Sequence, residues 1–330
     1  MGHDGETRLN QNLELNHHPK NMQTDQFPKH HPGIWAVGGG KGGVGKSVIS
    51  LLLSLALSRC GQRTVLVDAD LGGANLHTLM GIKTPARTLN DYLTRKYETL
   101  EEVCIRTDIK NLELICGASE ILSFANPLFA QKTKMAQSIL NLAVDHVVLD
   151  LGAGASYNVL DFYLIAKYPV VVLTPQPTSI HNAYGFVRNT VYRRLSRYVS
   201  QKPSLQEIVQ KAMDPKNNNQ MRTISDLFAT VRKSHGEKVA FYLTKTIAKF
   251  RPLLITNMAR NPKDGNASRI VQMVAEKYLT LEAQELGAME YDPLLEEMIN
   301  KMIPLSELPK YSRSNLTADR IVQKLIGCTP

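Results

Sequence analysis

The chain has 330 residues, enough for one large domain or two modest ones, and its 43% hydrophobic and 21% charged residues exclude a wholly disordered chain, a collagen-like rod and a coiled coil. Its net charge of +9 is concentrated: Val191 to Phe250 carries twelve Lys and Arg against four Asp and Glu, a local excess that could meet nucleic acid or anionic lipid or form a solvated helical surface. No stretch reaches the roughly 18 to 20 consecutive apolar residues that cross a bilayer, and the polar start lacks the apolar middle of a signal peptide, so a cytoplasmic protein is expected.

Met1 to Pro32 holds five of the nine histidines and little apolar material, which predicts a flexible arm over residues 1–32 ahead of a domain over 33–330. From Gly33 onward, short runs rich in β-branched residues recur without polar alternation: Ile34 to Val37, Thr64 to Val67, Leu112 to Ile115, His146 to Leu149, Val170 to Leu173 and Leu253 to Thr256. Helix-length segments separate them. Strands buried on both faces and alternating with helices predict an α/β fold, a doubly wound, mostly parallel sheet with helices on both sides.

Residues 198–250 break this rhythm and predict a basic helical insertion, with helices over Leu205 to Met213, Met221 to Arg232 and Lys238 to Ala248. The last stretch, about 313–327, places Ile321, Val322, Leu325 and Ile326 on one side of an amphipathic helix, read as a packed C-terminal helix or, alternatively, a membrane foot. Cys60, Cys104, Cys116 and Cys328 lie far apart with no C-x-x-C pair, so neither a zinc site nor a disulfide framework is expected.

The chemistry-bearing motif follows the first apolar run. Gly40, Lys41, Gly42, Gly43, Val44, Gly45, Lys46 and Ser47 contain G-x-x-x-x-G-K-S in register, and the helix-like run Val48 to Arg59 comes next. Glycines let backbone N–H groups turn in around phosphate oxygens, the new helix adds its positive end, and Lys46 supplies a point charge. Ser47 can offer its hydroxyl to Mg²⁺. The pattern therefore predicts a P-loop nucleotide site. Asp68 and Asp70 at the end of the second strand are placed to hold magnesium waters and orient an attacking water.

A lysine early in the loop, Lys41, is not needed to grip a phosphate that Lys46 already holds. The doublet Lys41-Gly42-Gly43-Val44-Gly45-Lys46-Ser47 resembles the deviant Walker A loop of the MinD/ParA family of ATPases. Asp68-Ala69-Asp70-Leu71-Gly72 is similar to that family's first switch, and Asp150-Leu151-Gly152-Ala153-Gly154 to its Walker B and second switch. The resemblance implies ATP and Mg²⁺ as ligands and an ATP-dependent homodimer in which Lys41 acts on the partner's γ-phosphate, as an arginine finger would. It further implies Asp150 as a magnesium acid, Gly154 near the γ-phosphate and Asn257 against the adenine.

Within the family, Thr174 to Tyr184 and both switches look most like the FlhG/FleN branch, whose members control flagellar number and placement. This implies a partner of the FlhF type or another polar cargo, and a helix at the C-terminus that touches the inner face of the membrane. Gln176, His181 and Asn182 depart from the branch's usual Glu, Thr and Asp. A ParA-like partition ATPase, binding DNA non-specifically through the basic insertion, is the alternative. Iron–sulfur carrier relatives use paired cysteines, which do not occur here, and a module that binds ATP without turning it over would not need Asp68, Asp70 and Asp150 together.

Overall fold

The computed structural model describes residues 31–70, 73–117, 129–214 and 221–329. The arm expected over 1–32 falls outside them except for His31 and Pro32, as do the first-switch residues Leu71 and Gly72 and the polar run at 217–220.

The strands are β1 (Gly33–Gly38), β2 (Thr64–Ala69), β3 (Ile105–Arg106), β4 (Leu112–Ile115), β5 (His146–Leu151), β6 (Tyr168–Leu173), β7 (Leu253–Ala259) and β8 (Gln284–Glu290). They form one sheet in the order β3-β4-β2-β5-β1-β6-β7-β8, parallel throughout except that β3 runs antiparallel to β4. The helices are α1 (Lys46–Arg59), α2 (Leu76–Leu79), α3 (Leu89–Leu93), α4 (Phe129–Leu140), α5 (Tyr157–Tyr163), α6 (Pro177–Tyr198), α7 (Pro203–Met213), α8 (Ile224–His235), α9 (Glu237–Ala248), α10 (Asn266–Leu279), α11 (Pro293–Asn300) and α12 (Arg313–Ile326).

Strand residues feed two cores by simple alternation. Ile34, Ala36, Val147 and Leu149 join the core beneath α5 to α10, while Trp35, Val37 and Val148 join the one beneath α1 and α12. Burial on both faces is why these strands read as unbroken apolar runs. β8 lacks such a run because it is an edge strand with half-exposed residues and Gly287 at its centre, and the sequence reading missed it.

Residues 198–250 hold α7, α8 and α9, and α8 starts later than the sequence pattern predicts. Thr223 and Asp226 form a reciprocal capping box, so the helix begins at Ile224 rather than Met221. Leu205, Val209, Leu227, Val231, Leu243 and Ile247 enter the same core as the sheet, and the basic side chains Lys202, Lys211, Arg232, Lys233, Lys245 and Lys249 face outward.

One expectation is overturned. α12 lays Ala318, Ile321 and Val322 into the core it shares with α1, an Arg59–Asp319 ion pair joins the two helices, and Cys60 and Cys328 form a disulfide with Cα atoms 5.9 Å apart. Residues 268 positions apart in the chain meet because α12 returns to the C-terminal end of α1, which spacing along a sequence does not reveal. Cys104 and Cys116 are free, and burial pushes both thiols up to about 12. Among the described residues no helix is long and apolar enough to cross a membrane.

Candidate nucleotide site

β1 lies between β5 and β6, and its chain continues through α1 toward β2, while β6 lies on the other side. Connections leaving adjacent strands in opposite directions open a crevice at the carboxyl end of the sheet. The glycine loop occupies this crevice. Gly45, with φ 88°, forms the left-handed N-cap of α1, a backbone state that glycine enters without steric cost. Gly40 packs so closely on α6 that a β-carbon there would stand 2.0 Å from the Asn182 carbonyl oxygen.

The two lysines of the loop have different surroundings. Lys46 is buried, at 8% exposure, with its ammonium 3.5 Å from the Lys41 carbonyl. Burial holds its pKa below the ordinary lysine value, against the opposing pull of Asp150 and Asp70. The Lys41 side chain is exposed at the rim.

Three carboxylates converge on this loop. In the sheet register Asp150 stands opposite both Val37 and Asp68. Asp150 is buried and accepts hydrogen bonds from Ser47 and Ser50, the latter at 3.0 Å. Burial raises it to about 6, while Ser47, Ser50 and Lys46 pull it down. Asp68, fully buried, is raised to about 7 by the same cause. Its two oxygens accept from the backbone N–H groups of Asp70, at 3.3 Å, and Leu76, at 3.0 Å, so it braces the ends of the first-switch loop. Asp70 lies over the second switch, its Oδ1 2.9 Å from where a β-carbon on Gly152 would stand. Gly154 N–H donates to the Gly39 carbonyl at 3.1 Å, tying the second switch to the glycine loop.

Hydroxyl and carboxylate oxygens beside a buried lysine suit a small hard cation and a phosphate chain. Burial is the main cause of both elevated carboxylate values, with repulsion from the neighbouring acids adding to it, and a divalent cation at the site would favour the charged forms.

Asn257 sits at the flank of the loop, and its amide donates to the Val44 carbonyl at 2.9 Å. The residue read as an adenine contact thus holds the loop backbone in this structure. Beyond it, Met258 adopts φ 58° and is exposed. The strand ends lead into a cleft of about 990 Å³ lined by Arg260, Tyr291, Asp292 and Pro293, with the Arg260 guanidinium 4.5 Å from the centre of the Tyr291 ring. Sequence reasoning missed these residues, as it missed Ser50, because none falls inside a recognisable motif. Of the departures near α6, Gln176 accepts a hydrogen bond from the Thr174 hydroxyl, His181 is exposed, and Asn182 supplies the carbonyl that faces Gly40.

The ParA family, described as NUBPL iron-transfer P-loop NTPase, matches residues 32–188. The antiactivator FleN of Pseudomonas aeruginosa is 26% identical over 304 residues, spanning 91% of this chain and 89% of FleN. The flagellum site-determining protein YlxH of Helicobacter pylori is 25% identical over 296 residues, spanning 88% of this chain and 81% of YlxH. The septum site-determining protein MinD from Pyrococcus horikoshii, solved with Mg-ADP, shares the fold with a TM-score of 0.60 at 19% identity, covering 89% of this chain and 95% of that one.

Proposed function

This chain belongs to the ParA/MinD family of P-loop NTPases, and from that premise we propose that it is an ATP-dependent dimerisation switch acting as a spatial regulator of flagellar number or placement. The observation that carries the reading is the split between the two loop lysines. Lys46 lies inside the loop, where it serves the chain's own nucleotide, and Lys41 points to solvent, as a residue acting on the nucleotide of a second copy must.

In this reading ATP binds with its phosphates in the glycine loop and its base beside Asn257 and the Arg260–Tyr291 cleft. Ser47, Asp150 and Asp68 would hold Mg²⁺, whose part is to neutralise phosphate charge. Asp70 orients the attacking water, and Gly154, already hydrogen-bonded to the loop, responds to the γ-phosphate. Catalysis rests on positioning and charge neutralisation, so slow turnover without a partner follows. Flagellar regulation is supported by the near full-length similarity to FleN and YlxH. Membrane contact through α12 would require that helix to leave α1.

Size-exclusion chromatography tests the switch. Asp70→Ala is expected to bind ATP and accumulate as a dimer, and a monomer at saturating ATP counts against it. The outward basic side chains of α7 to α9 favour a second reading, non-specific DNA binding. That reading predicts a gel shift whose affinity falls steeply with salt.

A further inference from the structure

Away from the nucleotide site, α4, α5, α6 and α7 enclose a cleft of about 620 Å³, a volume typical of small-molecule sites. Its wall carries an unbalanced charge cluster. Asp161 of α5 takes a two-pronged hydrogen bond from Arg193, at 2.8 Å on each oxygen. It also has Lys132 at 3.4 Å and Arg197 at 3.7 Å. Three cations thus face Asp161, the one carboxylate lining the cleft among the described residues. The Lys132 and Arg193 side chains are only 14% and 20% exposed, so two of the three positive charges are largely removed from water. A single carboxylate shared among three cations leaves the desolvation of the buried pair only partly compensated, and a second anion would offset that cost.

The rest of the lining suits an organic ligand. Arg193 stacks on the ring of Tyr157, 4.3 Å from its centre, and Tyr157 is 60% exposed. Gln206 and Gln210 of α7 offer amides, and Phe162 and Met213 add apolar surface. Arg197 is the most exposed cation of the cluster, at 53%, and lies beyond hydrogen-bond distance of Asp161, so it is available to a further anion.

We propose that this cleft is a second ligand site, for a small molecule bearing phosphate or carboxylate groups, held by Lys132, Arg193 and Arg197. Its walls include α5, which follows Gly154, whose N–H donates to the Gly39 carbonyl, and α6, whose Asn182 carbonyl faces Gly40, so an occupant bears on the elements that contact the glycine loop.

Isothermal titration of the full chain with inorganic pyrophosphate and, separately, with citrate, in magnesium-free buffer, tests the site. Pyrophosphate can also enter the glycine loop, so the titration is repeated on Lys46→Ala. Binding of either probe that survives Lys46→Ala and weakens at least tenfold in Arg197→Ser is expected. Lys132→Gln should act in the same direction, and Arg197→Ser, altering a half-exposed side chain, guards against loss of fold, checked by circular dichroism. Preference for pyrophosphate assigns a phosphate ligand, and preference for citrate a carboxylate. Failure of both probes to bind, or binding unchanged by Arg197→Ser, overturns the proposal. So does binding of hexaglutamate alone, which would make the cleft a protein-docking surface.

Discussion

Ser50 donates its hydroxyl to Asp150 at 3.0 Å, joining the second turn of α1 to the end of β5 across a sequence separation of 100 residues. The contact lies one helical turn beyond the P-loop motif and fixes the carboxylate that faces Ser47 and Lys46. Ser50→Ala removes one donor from a buried acid. The expected cost is about 1–2 kcal/mol of stability, with the acidic limb of the nucleotide-affinity profile displaced to higher pH because the Asp150 carboxylate loses a partner that favours its charged form. Denaturant melts and fluorescent-nucleotide titrations between pH 5 and 8 read both, and a profile unmoved from the parent's would discount the contact.

The buried acids make a pH prediction. Asp68 and Asp150 are raised to about 7 and about 6 by burial, above an ordinary carboxylate value of about 4, so the folded chain retains protons that the unfolded chain has released. Stability from these groups is complete below about pH 4 and is lost as pH rises through about 6 and about 7. Asn cannot ionise, so Tm of Asp68→Asn minus Tm of the parent should grow from pH 5 to pH 8 in magnesium-free buffer, whatever constant offset the amide adds. A difference that is flat with pH would refute the buried, protonated state of Asp68.

Lys41 and Lys46 should separate binding from turnover. Lys46→Ala is expected to lose nucleotide affinity by tenfold or more, since the charge within the loop disappears. Lys41→Ala should bind nucleotide normally and hydrolyse ATP at least tenfold more slowly. Parent-level turnover by Lys41→Ala would remove the case for a residue working on a second copy's nucleotide.

The Cys60–Cys328 bond cross-links α1 to the segment after α12. Closing so long a loop typically adds about 2–4 kcal/mol, so dithiothreitol or Cys328→Ser should lower Tm by several degrees, while Cys104→Ser should change it little. Mass spectrometry of non-reduced peptides must show the pair. If α12 can reach a lipid surface, liposome co-sedimentation should rise after reduction, because the bond anchors the helix to α1.

Much of the nucleotide site is legible in the order of residues. The glycine loop, Lys46 and Ser47 are contiguous, and they sit between a strand and a helix whose patterns are themselves local. Asp68, Asp70 and Asp150 can be placed at strand ends for the same reason. The bracing of Asp68 by Leu76, the seat of Asp70 over Gly152 and the bond from Asn257 to Val44 cannot, since each depends on how far a loop folds back. β8 is illegible because an edge strand need not be apolar on both faces.

Residue order alone carried the phosphate loop and the doubly covered strands, because backbone turns, helix starts and burial periodicity are short-range consequences of side-chain type. Strand order and helix packing, which balance contributions from the whole core, brought Ser50 to Asp150, Cys60 to Cys328 and three cations to Asp161. Partners far apart in the chain leave no periodic trace along it, and only the assembled core decides which of them meet.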